Sequence, residues 1–545
     1  MKKTVKLTAA LSAAALMALA GAAGNNAVLS DILGGMVSYA AEGWQQSGGT
    51  WYYYGSDGNP VTDELKRSDG IWYYLGSDGT MQTDYMYEDE DENIYYFNSD
   101  GAMVTNSWLL YEDGGESNWY YFDGSGKAAK RKSDSDNIYT RSIDGKTYGF
   151  DEDGRMLYGW VDEDGELIED EEDAFMDAKY YFGDFDDGQM RKNTWELYEE
   201  TSEEESNVDG IKYEDKDELW FFFDSSGKKV VPSEGKETIE KTINGSKYIF
   251  DQNGVMLSDW IISSSSTASP SFKYFSGDED GHMRKETWIY AVPSKEMDEE
   301  DYDNDEYSWF YVNKSGKAYT DGIDKVKGKK YAFDDKGRMQ TEFVLLDGDG
   351  KFKDNFTVED DDIESDDFKD SSSDLFDDIS SGTLYYFDAD EENGGQMKTG
   401  KSVKVELADD TYTFGFNKDG KAYGSGGEIE EQSRKYYING LLLAADKESK
   451  YGVVEVDGEF VVVNSSGTIQ KGNEKSLKDG NGGYILIDND LYFGYYDDDD
   501  HKPVWEDDGT VWEYDSDDEN KHGEEILPDE HASVLPDDMV VYRAN

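Results

Sequence analysis

One short pattern recurs through most of the chain: a run of aromatic residues, a polar turn closed by glycine, and a short apolar or basic coda. It reads Trp51-Tyr52-Tyr53-Tyr54 with Gly58, Trp72-Tyr73-Tyr74 with Gly79 and Met81, Tyr95-Tyr96-Phe97 with Gly101 and Met103, and Trp119-Tyr120-Tyr121-Phe122 with Gly126. Such a repeat fixes the architecture before any other feature, because a small unit copied many times buries its apolar face only against its neighbours. Runs of Trp, Tyr and Phe suit a pleated, half-buried strand. Segments such as Asn98-Ser99-Asp100-Gly101 are turn formers with glycine available for positive φ. Two short runs around such a turn make a β-hairpin. A lone hairpin is marginal in water, so consecutive hairpins are expected to stack. The expected fold is all-β: a solenoid of successive β-hairpin repeats with acidic loop insertions, a divergent C-terminal cap and essentially no helix after residue 40.

A second period lies above the first. From residue 93 the hairpins fall into three types that recur in order four times, about 90 residues per block. The first type carries Met and usually ends at Trp, as in Tyr95 to Trp108, Tyr180 to Trp195 and Tyr274 to Trp288. The second carries Gly-Lys at Gly126, Gly227, Gly316 and Gly420. The third runs from Tyr148 to Met156, Tyr248 to Met256 and Tyr331 to Met339, with a degraded copy at Tyr436-Tyr437. Equivalent surfaces should therefore recur every three hairpins. Acidic insertions at 199–217, 298–306 and 347–378 interrupt the pattern. Their like charge and sparse apolar content predict exposed, partly mobile loops, and none shows the spacing of a twelve-residue calcium loop.

The pattern resembles the cell-wall-binding repeats of Gram-positive surface proteins, the family of choline-binding and glucan-binding modules. Gly43-Trp44 leading to Trp51-Tyr52-Tyr53, and Tyr148-Gly149-Phe150 through Gly154 and Met156 to Gly159-Trp160, carry the resemblance, which covers roughly residues 43 to 470. It implies that ligands sit between consecutive hairpins, boxed by Trp and Tyr from both, by stacking and cation–π attraction. Carried over, the ligand-binding residues are Trp44 and Trp51 with Trp72 or Tyr74; Trp108 with Trp119 and Tyr121; Trp195 with Trp220; and Trp288 with Trp309. About half of all the aromatics should be core by strand alternation alone. The implied partners are cell-wall polymer (teichoic acid or glycan), glucan, or choline. Loss of the glycine in Ser107-Trp108, Thr194-Trp195 and Thr287-Trp288, together with the insertions, shifts the expected ligand from choline toward wall glycan or another polysaccharide.

The ends and composition bound the rest. Lys2, Lys3 and Lys6 before the Ala- and Leu-rich stretch 7–23, with Ser38-Tyr39-Ala40, read as a signal peptide over residues 1–40. The apolar run is short for a membrane anchor, so no membrane span is expected after cleavage. Repeats are assigned to 41–444, and divergent hairpins with an acidic tail to 445–545. There is no cysteine, hence no disulfide or thiolate site. The net charge of −71 argues against nucleic acid and against docking on anionic lipid, and by itself indicates solubility. His282, His501, His522 and His531 sit in no catalytic or metal pattern. The expected protein is therefore secreted, held non-covalently on the wall, and not an enzyme, with no cofactor or metal. An adhesin or surface-structural protein binding host or protein partners is the alternative, and a cell-wall hydrolase a remote one.

Overall fold

The computed structural model describes residues 42–132, 137–168, 174–199, 218–263, 271–277, 280–389, 394–527 and 539–543. The signal assigned to 1–40, most of the 199–217 insertion and His531 lie outside these residues. Two compact units divide the chain. One holds the described residues up to Asn193 with Ser225–Lys228, and the other holds the described residues of 194–224 and 229–545.

Both units are built from antiparallel hairpins in sequence order. Gly43–Ser47 pairs with Thr50–Tyr54, Glu64–Ser68 with Ile71–Leu75, Ser107–Asp113 with Glu116–Phe122, Thr194–Glu199 with Glu218–Phe223, and Thr287–Ala291 with Ser308–Val312. Most sheets have only two or three strands. Among the described residues, helix is confined to four-residue and five-residue turns at Ala174–Asp177, Glu299–Asp303, Val358–Asp361 and Phe376–Ile379 and a 3-10 turn at Ser365–Phe368. The expected nearly all-β chain of hairpin repeats is what the structure shows.

Two devices recur at many of the junctions between successive hairpins. The first is a backbone bond from the coda. The Met81 N–H donates to the Trp51 carbonyl (2.8 Å), Met103 to Trp72, Met156 to Trp119, Met283 to Lys247 and Met397 to Lys330. The second is a lock between methionine and glycine. The coda Met side chain lies under the turn glycine of the following hairpin, so that a Cβ at Gly101 would fall 2.6 Å from Met81 Cε and one at Gly188 2.2 Å from Met156 Cε. The pairs Met103–Gly126, Met190–Gly227, Met256–Gly281, Met283–Gly316 and Met397–Gly420 repeat it. These glycines also hold positive φ, 77° at Gly101 and 56° at Gly188, so two independent reasons exclude a side chain.

The turns explain much of the acidic composition. Asp123 Oδ1 accepts from the Ser125 and Lys127 N–H groups, Asp151 Oδ1 from Arg155, and Asp251 Oδ1 from Asn253 and Val255. Asn98 and Asn313 make the same bonds in their turns. Asp and Asn favour such side-chain-to-backbone closure.

The 347–378 insertion corrects the sequence reading. It is a folded part of the second unit. Phe352–Phe356 pairs with the strand Glu342–Leu346, and Phe356, Ile363, Phe368 and Ile379 are buried in one core with Phe343, Leu384 and Phe414. The buried Asn439 amide donates to the Phe368 carbonyl (3.0 Å) and to Ser380 Oγ (2.9 Å), clamping the segment. Average composition conceals these apolar residues, because solvent-facing carboxylates surround them. The 298–306 insertion is likewise ordered. Asp298 caps the helix Glu299–Asp303, and the Arg338 guanidinium reaches Asp334 (2.7 Å), Asp298 (3.2 Å) and Asp301 (2.6 Å).

After residue 447 the hairpins continue, and a C-terminal strand, Val540–Tyr542, returns parallel to Tyr451–Val456. The segment after Asp497 is more regular than its acidity suggests. Val504–Trp505, Val511–Tyr514 and His522–Glu525 form a three-stranded sheet over Leu486, Tyr496 and Ile526.

Candidate functional site: a recurring aromatic cleft

Directly opposed residues of an antiparallel pair share one face of the sheet. Register therefore decides which rings meet. Trp44 opposes Tyr53, and Gln46 opposes Trp51, so Trp44, Trp51 and Tyr53 line one face. Trp108 with Tyr121 and Leu110 with Trp119 repeat the arrangement. So do Trp195 with Phe222 and Leu197 with Trp220, and Trp288 with Tyr311 and Tyr290 with Trp309. Each expected pair of tryptophans is thus brought to one face.

The following hairpin adds a tyrosine. The Trp44 ring lies 5.4 Å from Tyr53 and 5.0 Å from Tyr73, both edge-on. Trp108 lies 5.2 Å from Tyr121 and 4.8 Å from Tyr148. Trp195 lies 5.2 Å from Phe222 and 4.8 Å from Tyr248. Trp288 lies 5.2 Å from Tyr311 and 4.9 Å from Tyr331. The last three also stack at 25–29° on Phe150, Phe250 and Phe333 of the next hairpin. Four copies of one cleft result, and the copies at Trp108, Trp195 and Trp288 follow the three-hairpin period.

Trp72 and Tyr74 do not join the first cleft. Strand alternation turns them to the other face, where Tyr74 is buried against Tyr87 (4.1 Å) and Phe97 (5.9 Å), and the Arg67 guanidinium covers the half-exposed Trp72. Tyr73 takes the expected place. Sequence reasoning also passed over Tyr148, Tyr248 and Tyr331. The signal that finds them is parity: each stands two residues before the last aromatic of its run, or one where the run is longer.

Two other hairpin junctions bury their tryptophan. Trp160 and Trp260 are buried, and the Trp260 indole N–H donates to the Val292 carbonyl (3.0 Å). In the fourth block the cleft is lost outright. Gly415 stands where Tyr121 and Tyr311 stand, and the fully buried Tyr437 fills the space, donating to the Lys401 carbonyl.

The clefts are partly open and polar at their edges. Trp44, Trp51, Trp108, Trp119, Trp195, Trp220 and Trp288 are half-buried, and Trp309 is 45 % exposed. In two copies the tryptophans form a right-angled corner: Trp44 and Trp51 at 6.5 Å and 86°, Trp288 and Trp309 at 6.3 Å and 90°. Burial raises the phenol pKa of Tyr73, Tyr148, Tyr248 and Tyr331, so all four stay neutral donors well into the alkaline range. Such an arrangement can stack a sugar face or surround an alkylammonium group. It holds no nucleophile paired with a base. Among the described residues no group of His, Asp and Glu is arranged to hold a metal ion, and no helix is long and apolar enough to cross a membrane.

An aromatic-cleft hairpin repeat protein is the class these features define. The profile of the choline-binding repeat matches residues 41–77 and 65–108, and that of the cell wall binding repeat matches 111–128. Residues 41–128 thus carry cell-wall-binding repeats of the choline-binding type. The chain is similar to Glucosyltransferase-S of Streptococcus mutans, 25% identical over 273 residues, which are 47% of this chain and 15% of that protein's length. Among solved structures it is similar to choline binding protein F of Streptococcus pneumoniae, crystallised with a peptidoglycan analogue (18% identity, 67% of this chain and 99% of that one, TM-score 0.35). It is also similar to CbpJ of Streptococcus pneumoniae TIGR4 (20% identity, 71% and 99%, TM-score 0.31).

Proposed function

We propose that the protein is a secreted, non-enzymatic surface protein that holds cell-wall polymer or polysaccharide in the clefts between its hairpins, without covalent attachment to the wall. The observation that supports it is the fourfold recurrence of one arrangement: two tryptophans and an aromatic from one hairpin, a neutral tyrosine from the next, and rings left partly open. Core packing alone does not require openness, since the junctions at Trp160 and Trp260 bury those rings. Pelleting with purified wall and with soluble glucan tests the reading. Wild-type protein should sediment with at least one of them, and the double variant Trp51→Ala, Trp309→Ala should sediment less at an unchanged melting temperature. A lytic band on a wall zymogram, or sedimentation indifferent to both substitutions, would overturn it.

A further inference from the structure

The fourth block puts lysine where the earlier blocks put aromatic walls. Its strand Gly400–Glu406 pairs with Thr411–Phe416, and Lys404 stands directly opposite Thr413. Phe416 bridges to the coda at Ala422, as Phe122 does to Ala128, Phe223 to Lys229 and Val312 to Ala318. Counted back from that bridge, the places of Lys404 and Thr413 are held by Leu110 and Trp119, by Leu197 and Trp220, and by Tyr290 and Trp309 in the earlier blocks. The same strand carries Lys401, and the following hairpin brings Lys435, next to the Tyr436 that pairs with Glu431.

The three ammonium groups all end on neutral oxygens. Lys401 donates to Ser433 Oγ, Lys404 to Thr413 Oγ1 (2.6 Å) and Lys435 to the Ser466 carbonyl. None of the three forms an ion pair among the described residues. Lys435 is half-buried, and its ammonium is held below the ordinary lysine range first by desolvation and then by the Lys404 charge, both of which disfavour the charged form. Carboxylates are plentiful, 123 acidic side chains against 52 basic ones, and Lys66, Lys179, Lys247, Lys336 and Lys351 each reach one. Like charges gathered without a counter-charge are therefore the exception in this chain. No aromatic cleft accompanies them, since the buried Tyr437 fills its space.

We infer that Lys401, Lys404 and Lys435 form an anion site on the fourth block that takes a phosphodiester group of the wall polymer. This rests on the proposed wall-binding role and adds a second chemistry to it, at a place where ring stacking has been given up. Lysine binds phosphate as a point charge, and one oxyanion among three ammonium groups relieves their mutual repulsion. The hydroxyls of Thr413 and Ser433, which already meet two of these ammonium groups, border the site. The net charge of −71 repels such a polymer at a distance, so the contact forms at short range, once the rings of the other blocks hold the chain.

The test is protection of the lysines from an amine-acylating reagent, read by peptide mass spectrometry on the full chain. Dimethyl phosphate, a phosphodiester monoanion, is exchanged against chloride at constant ionic strength, with trimethyl phosphate as its uncharged isostere. Dimethyl phosphate should slow acylation of Lys404 and Lys435 at least about threefold, and trimethyl phosphate should not. Lys327 and Lys329, exposed at another hairpin turn, should react at an unchanged rate. Lys404→Gln should abolish the protection of Lys435 with the melting temperature retained. Equal protection of all exposed lysines, protection indifferent to Lys404→Gln, or protection by inorganic phosphate but not by dimethyl phosphate would each overturn the inference. So would the absence of protection in a wild-type protein that pellets with wall, which leaves the wall-binding reading standing. Failure of wild type to pellet with wall would instead remove that reading, and with it the assignment of the phosphodiester to the wall.

Discussion

At the scale of single residues, the glycines were legible as turn formers, but the methionines that answer them were not. A coda Met looks like generic filler until the next turn is seen to lie on it. Gly188 and Gly70 separate the two roles glycine plays here. Both hold positive φ, but a Cβ at Gly70 meets open space, whereas one at Gly188 falls 2.3 Å from Met156 Sδ. Gly70→Ala should cost only the backbone strain, about 1 kcal/mol. Gly188→Ala adds overpacking of roughly 1–3 kcal/mol. Chemical denaturation of both variants should show the difference. A second residue-scale expectation concerns Asp151, whose carboxyl is pushed up to about 6 by burial, with the Arg155 backbone bond opposing the shift. The folded state then binds the proton more tightly than the unfolded chain, where the value is near 3.8. Its contribution to stability is present below pH 4 and is lost as pH rises through 6. Asn fills the same turn role at Asn98 and Asn313, so Asp151→Asn should keep the turn and flatten the stability slope between pH 4 and 6. An unchanged slope would show that the carboxylate is solvated.

Among elements, the hairpins and their three-step recurrence were readable because each carries its own punctuation: an aromatic run, an Asx turn and a glycine. The incoming tyrosines were harder. Which ring of Trp72-Tyr73-Tyr74 faces Trp44 depends on register across two hairpins, and a one-residue slip exchanges the faces. The acidic insertions were harder still, since composition averages over carboxylates on the outside and Phe, Ile and Leu on the inside. The 347–378 segment provides the test. Phe368 is fully buried, 4.9 Å from both Phe343 and Phe414. Phe368→Ala should therefore cost about 3–5 kcal/mol, whereas truncation of a surface loop residue would stay within about 0.5 kcal/mol. A thermal or denaturant melt decides between them.

For the whole molecule, the net charge of −71 sets the conditions under which the clefts act. Many of the carboxylates close turns, and their charge still radiates. On the proposed function, a phosphate-bearing wall polymer is repelled at long range, and attachment comes from contact between rings and ligand at several clefts at once. Each lost stacking face costs about 1–3 kcal/mol at a central contact, and multivalency mutes any single loss. This balance predicts an inverted salt response. Raising ionic strength from about 0.1 M to 1 M shortens the Debye length from about 10 Å to about 3 Å, which relieves the repulsion and leaves ring stacking largely untouched. Sedimentation with purified wall should therefore hold or increase across that range, and the loss caused by removing Trp51 and Trp309 together should be as large at high salt as at low. A steep fall in wild-type sedimentation with salt would mean that surface charge rather than the aromatic clefts carries the attachment.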